Sequence, residues 1–144
     1  MKWCLIILAV CLFWAVIPAQ SQVKLQAGVG GSLPEFSTAF AHGAVVIDLP
    51  MGFKFRPNIG IGRNSENGVW LMRSIIAFAH PIYRNILLGC AGGVVFAFTP
   101  NGVKAKKLGA VVPSVKYRRI IFMVPIGVEK WKLSSISLEL AYTF

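Results

Sequence analysis

Along most of this chain the apolar residues recur at every second position, the period of a strand with two unlike faces rather than of a helix. The last segment, Leu133 to Phe144, shows it best. Ile136, Leu138, Leu140, Tyr142 and Phe144 are large and apolar, whereas Ser135, Ser137, Glu139, Ala141 and Thr143 between them are small or polar. Read at this period, the chain divides into eight predicted strands, roughly 23–33, 39–50, 53–63, 69–82, 85–99, 107–117, 119–130 and 133–144. Turn signals separate several of them: Leu33-Pro34-Glu35, Pro50-Met51-Gly52, Asn64 to Gly68, Arg84-Asn85 and Thr99 to Gly102. In the first strand Val23, Leu25, Ala27 and Val29 share one face, with Lys24, Gln26, Gly28 and Gly30 on the other. In the third, Phe53, Phe55, Ile59 and Ile61 oppose Lys54, Arg56 and Asn58, and in the seventh Ile120, Phe122, Val124, Ile126 and Val128 align. Strands four and five are apolar on both faces.

An apolar face points to a core in a soluble sandwich and to lipid in a membrane barrel, so one strand does not decide between them. The whole chain does. Beyond residue 21 no apolar run reaches the roughly 18 charge-free residues of a membrane helix. A spacing of about 15 residues per strand and turn leaves room for strands of about 9–11 residues, enough to cross a bilayer. Eight is even, and only a closed barrel satisfies every backbone group in lipid. The expected fold is therefore all-β: a closed antiparallel up-and-down transmembrane β-barrel of about eight strands. With both termini at one end, Trp70 and Trp131 fall near the far rim, and Tyr83, Tyr117, Tyr142 and Phe144 near the rim that holds the termini. These are the two aromatic belts that an interface favours. Pro57, Pro113 and Pro125 each remove a ladder donor from strands three, six and seven, which calls for bulges or breaks there. A helical inner-membrane protein, with 3–19 retained and 69–99 forming further spans, is the competing layout.

The N-terminus differs from the rest. Lys2 precedes an apolar stretch from Trp3 to Ile17, Pro18 ends it, and Ala19-Gln20-Ser21 has small residues where a signal peptidase cuts. The expected domains are a signal peptide over 1–21 and a barrel over 22–144. A lipoprotein reading on Cys11 is weaker, because Val10 precedes it and the apolar run continues. Loss of the leader removes Cys4 and Cys11 and leaves Cys90 as a small hydrophobe without an intramolecular disulfide partner.

Composition agrees with a membrane protein: 56% of residues are hydrophobic and only 14% charged. Without Lys2 the 15 Lys and Arg become 14 against 5 Asp and Glu, a net charge of +9. That excess is scattered singly or in pairs through apolar segments, with no basic helix or recognition motif. Anionic lipid, not nucleic acid, is the expected counter-charge.

On these features the chain resembles the small outer-membrane β-barrel proteins, the family that includes the OmpA and OmpX membrane domains. The resemblance covers the mature chain as architecture. Its specific motif is Ile136 to Phe144, in which Leu138, Leu140, Tyr142 and Phe144 match a terminal signal for the barrel-assembly machinery. The resemblance implies a cell outer-membrane location in a Gram-negative envelope and the assembly machinery as a partner during biogenesis. The short loops depart from members that adhere or bind receptors.

Candidate chemistry follows from the faces. Lys24, Asp48, Lys54, Arg56, Lys116 and Glu139, with Arg73 and Glu129, are expected inside as a paired charge network that plugs so narrow a barrel. Lys104, Lys106, Lys107, Lys130 and Lys132 are expected on the outer rim, against anionic head groups or lipopolysaccharide phosphates, or else as solvated loop charge. Of the two histidines, His42 shares a strand face with Thr38 and Asp48. No Gly-x-Ser-x-Gly elbow accompanies it, and two histidines without ligand-spaced partners make no metal site. Gly28 to Gly31 and Gly89 to Gly93 lack the ending of a phosphate loop. The expectation is a monomeric structural or envelope-interaction protein without catalytic residues, cofactor or metal. The alternatives are a lipid-modifying enzyme based on His42 and a small-solute pore.

Overall fold

The computed structural model describes residues 22–33, 38–130 and 132–144, with Leu33 as backbone. The expected leader 1–21, the first turn at 34–35 and Trp131 lie outside the described residues. The strands are β1 (Val23–Leu33), β2 (Thr38–Asp48), β3 (Lys54–Asn64), β4 (Trp70–Tyr83), β5 (Ile86–Thr99), β6 (Gly102–Tyr117), β7 (Ile120–Met123), β8 (Ile126–Glu129) and β9 (Lys132–Thr143). β1 to β6 pair antiparallel in sequence order, β7 and β8 each pair with β6 and β9, and β9 returns to pair with β1. The sheet is therefore a ring, the arrangement that leaves no open edge in lipid.

β7 and β8 are two pieces of one strand. Both lie between β6 and β9, and the β6 register runs unshifted from Ser114↔Met123 to Ala110↔Gly127. The ring thus has eight strand positions, in the expected order. Its geometry can be followed through named pairs. Val23 faces Ile47, then Phe55, Phe78, Cys90, Val111, Ile126 and Ile136, and Ile136 faces Leu33. One circuit returns to β1 ten residues beyond its start, from Val23 to Leu33. For eight strands that stagger tilts them about 40° and gives a backbone diameter of about 16 Å. An 11-residue strand such as β1 then rises about 27 Å, close to the apolar band of a membrane barrel.

The prolines sit at the breaks in the ladder. Between Ala44↔Asn58 and Ile47↔Phe55 the β2–β3 pairing lapses, and Pro57 falls in the gap. Pro125 lies in the interruption between β7 and β8, and Pro113 stands opposite it, in the stretch of β6 between its β8 and β7 pairings. Two prolines share one break, which costs the barrel fewer ladder bonds than two separate breaks. The Pro113 carbonyl still accepts from the Val124 N–H at 3.0 Å, and the Pro125 carbonyl from Ser137 at 2.8 Å.

The distribution of polarity is inside out. Among described residues the buried polar side chains are Gln26, Thr38, His42, Asn58, Asn64, Ser114, Glu139 and Thr143. Val29, Ile59, Ile61, Ile76, Phe78, Leu88, Phe122, Leu140 and Tyr142 are exposed on the outer wall. Water would penalise such a surface; lipid does not. Near the middle of strands four and five the lumen side carries small residues. Met72, Ile76, Phe78 and Leu88 point outward, and Ala77, Ala79, Ala91 and Gly93 inward.

Two expectations change. Residues 69–99, which the helical layout needed as spans, are β4 and β5, and no described helix is long and apolar enough to cross a membrane. β6 begins at Gly102 rather than 107, so Lys104, Lys106 and Lys107 stand on a strand paired with Ala97, Val95 and Val94. This stretch pairs with β5 alone and rises past the end of β8. Lysines along such a free edge discourage another chain from pairing with it.

Candidate ion layer and basic rims

Alternation on β2, β3, β4 and β9 sends His42, Arg56, Arg73 and Glu139 into the lumen, where they meet in one layer. Arg73 holds Glu139 with both forks, Nη1 donating to Oε1 at 2.9 Å and Nη2 to Oε2 at 3.1 Å. This planar two-bond pairing is the strong form of a guanidinium–carboxylate contact. Its guanidinium also lies 3.7 Å from the Phe40 ring centre. Arg56 approaches from the other side. Its Nε donates to Gln26 Oε1, Nη1 reaches Met123 Sδ at 3.2 Å, and Nη2 lies 2.9 Å from His42 Nε2. The Gln26 amide donates to Thr143 Oγ1 at 3.1 Å, which completes a layer across the lumen.

His42 has a guanidinium against each ring nitrogen, with Arg73 Nη2 3.2 Å from Nδ1. A neutral imidazole accepts at only one nitrogen. In either tautomer one ring nitrogen accepts from a guanidinium while the other sets its hydrogen against the second, and Glu139 Oε2 lies 3.7 Å from Nδ1. The lone pair that a general base needs is thus already taken. Asp48, on the same strand face, lies near the terminal end of the barrel and binds Lys24 and Lys54.

Small residues make room for this layer. A Cβ on Gly28 would lie 2.6 Å from the Leu140 carbonyl oxygen and 2.7 Å from the His42 ring, and one on Gly60 would lie 2.8 Å from Arg73 Nε. Gly28→Val should therefore destabilise the folded barrel by about 1–3 kcal/mol, because the backbone of β9 cannot step aside freely. Urea unfolding in detergent measures it, and an unchanged midpoint would show that the ring does not rest against Gly28.

A second charged group closes the end that holds the termini. Lys24 Nζ lies 3.1 Å from Asp48 Oδ2, Lys54 binds the other oxygen, and Lys116 faces the same end without an ion pair among the described residues. The predicted interior set thus separates into two clusters, Arg56 with Arg73 and Glu139, and Lys24 with Asp48, Lys54 and Lys116. Glu129 is a correction. It belongs to neither cluster but sits on the opposite rim, more than half exposed and 3.3 Å from Lys106. The strand ends there, beside a bulge at Gly127/Val128, so its parity no longer carries it into the lumen.

Lys104, Lys106, Lys107, Lys130 and Lys132 all lie exposed at the end away from the termini. Trp70 is at that end, with the Arg63 guanidinium 5.7 Å from its ring centre. Tyr83, Tyr117, Tyr142 and Phe144 are exposed at the other. Phe144 donates its N–H to the Leu25 carbonyl at 2.9 Å and packs on Tyr142 with ring centres 5.2 Å apart. Leu138, Leu140 and Tyr142 continue outward along β9, on the seam with β1. Arg84, in an expected turn, and Arg118 and Arg119, which the alternation left unread, occupy the tight turns of the terminal end. The Tyr142 hydroxyl accepts from Arg119 at 3.4 Å, and that bond raises the guanidinium above its usual pKa. Among the described residues no three His, Cys, Asp or Glu side chains gather as metal ligands.

No family model matches the chain, nor does any curated protein. Among solved structures it is similar to a protein described as "De novo design of transmembrane beta-barrels". The TM-score is 0.58 and the identity 13%, over 85% of this chain and 94% of that one. At that identity the fold is what the two share. It is a transmembrane β-barrel.

Proposed function

We propose that this chain is an integral, monomeric protein of a bacterial cell outer membrane. It serves the envelope as a structural or interaction element and carries out no catalysis. The observation that carries the reading is the inverted polarity of a closed eight-position ring, since barrels of this size are an outer-membrane architecture. Its lumen is crossed by the Arg56–Gln26–Thr143 contacts and the Arg73–Glu139 pair, which favours a plug over a water-filled channel. The outward run of Leu138, Leu140, Tyr142 and Phe144 supports the role of assembly signal. The terminal end then faces the periplasm, and the lysine rim faces outward.

On that rim Lys104, Lys106, Lys107, Lys130 and Lys132 contact anionic head groups or lipopolysaccharide phosphates, each adding about 1 kcal/mol at low salt. The test compares thermal unfolding in vesicles of anionic and zwitterionic lipid. The wild type is expected to unfold at higher temperature in the anionic vesicles, with the gap shrinking in salt. Changing all five lysines to Gln should remove most of the gap, and Arg84, Arg118 and Arg119 would supply what remains. If the five-fold variant keeps the whole gap, the rim does not bind lipid phosphate.

A further inference from the structure

The charges of the central layer do not balance. Two guanidiniums, Arg56 and Arg73, meet one carboxylate, Glu139, and Arg73 occupies both of its oxygens. Arg56 has no ion pair among the described residues; its partners are an amide oxygen, a thioether sulfur and a ring nitrogen. A half-buried cation that shares its carboxylate with a second guanidinium is costly to keep, and water or an anion beside it would offset that cost.

The space beside it points to the second. A cavity of about 80 Å³ lies against Arg56, Asn58, Arg73 and Glu139. Asn58 is 6% exposed, and its side-chain oxygen finds no partner; Arg73 Nε is likewise buried and unbonded. An amide can turn either edge inward, so Asn58 can offer N–H groups to the cavity beside Arg73 Nε and the unused N–H groups of Arg56.

A second space adjoins the cavity. The two share Arg73, Leu108, Ser135 and Ser137, and the second, a vestibule of about 380 Å³, reaches Ser32, Thr38, Lys104 and Lys106 at the lysine rim. Towards the terminal end the Gln26–Thr143 and Arg56–Met123 contacts stand in the way. The lysines beside the vestibule would draw anions towards it.

We propose that this pocket binds one small monovalent anion, of halide or carboxylate class, which enters from the lysine rim and gives the two guanidiniums a second counter-charge beside Glu139. Glu139 lines the same cavity, but Arg73 covers its oxygens, so it does not exclude a second anion.

The test is thermal unfolding of the detergent-folded chain in sodium chloride, sodium acetate or sodium gluconate at one ionic strength. An anion that binds the folded state alone raises the midpoint as the logarithm of its concentration over Kd. The expected result is a rise of a few degrees in chloride or acetate that gluconate, too large for the cavity, does not give. A response to chloride, to acetate or to both supports the site and tells which anion it takes. Arg56→Gln, or Arg56→Met if the former folds poorly, should abolish the difference. Changing Arg84, Arg118 and Arg119 to Gln, at the far end, should preserve it. Equal midpoints for the wild type in all three salts would overturn the proposal, and so would a full response surviving in both Arg56 variants.

Discussion

Replacing Glu139 by Ala should cost the folded barrel about 3–5 kcal/mol, the largest loss expected from a single change here. The carboxylate is 4% exposed and its partner Arg73 12%. Deleting it strands a guanidinium that two charge-assisted bonds now neutralise, and His42 loses the carboxylate 3.7 Å from its Nδ1. Removing both partners should be far milder. With Arg73→Met and Glu139→Leu combined, most of the loss should return, less what the Arg73 guanidinium gains on the Phe40 ring. Urea unfolding of the two single variants and the double one measures the coupling. Additive losses would mean that the pair is not a unit.

The second large effect belongs to the outer wall. Ile59 and Val23 are nearly equally exposed, 63% and 62%, yet Ile59 is at the middle of β3 and Val23 at the start of β1. On a soluble protein, arginine at either place would matter little. In a bilayer the cost depends on depth. Ile59→Arg should lose about 2–4 kcal/mol and Val23→Arg about 0–1 kcal/mol. Reversible unfolding from lipid vesicles separates the two cases. Equal, small losses would say that Ile59 does not face hydrocarbon.

Much of this wall is legible in the amino-acid sequence, because alternation in β1, β3 and β9 is a direct consequence of two solvents on two sides. In β4 and β5 the lumen side is largely apolar too, with Leu71, Ile75 and Leu87 inside and Phe78 and Leu88 outside, so neither polarity nor size alone tells the faces apart. The start of β6 is hidden because Gly102 to Lys107 pairs on one side alone and can carry lysines that a walled strand would reject. The prolines announce breaks, but that Pro113 and Pro125 share one follows only from the register of β6 against β7 and β8. The ion layer is half legible. Parity puts Arg56, Arg73 and Glu139 inside, but which base takes the carboxylate depends on the ten-residue stagger of the ring. Asn58, Gln26 and Met123 carry no charge to draw notice, and they complete the layer.

All of these effects require that the chain closes into a barrel with its apolar face in lipid. The most direct measurement is migration on a gel of the detergent-folded protein, boiled and unboiled, with circular dichroism of the same sample. A closed barrel resists the detergent until heated, so two bands and a β-type spectrum are expected. A helical spectrum, or one band unmoved by boiling, would contradict closure.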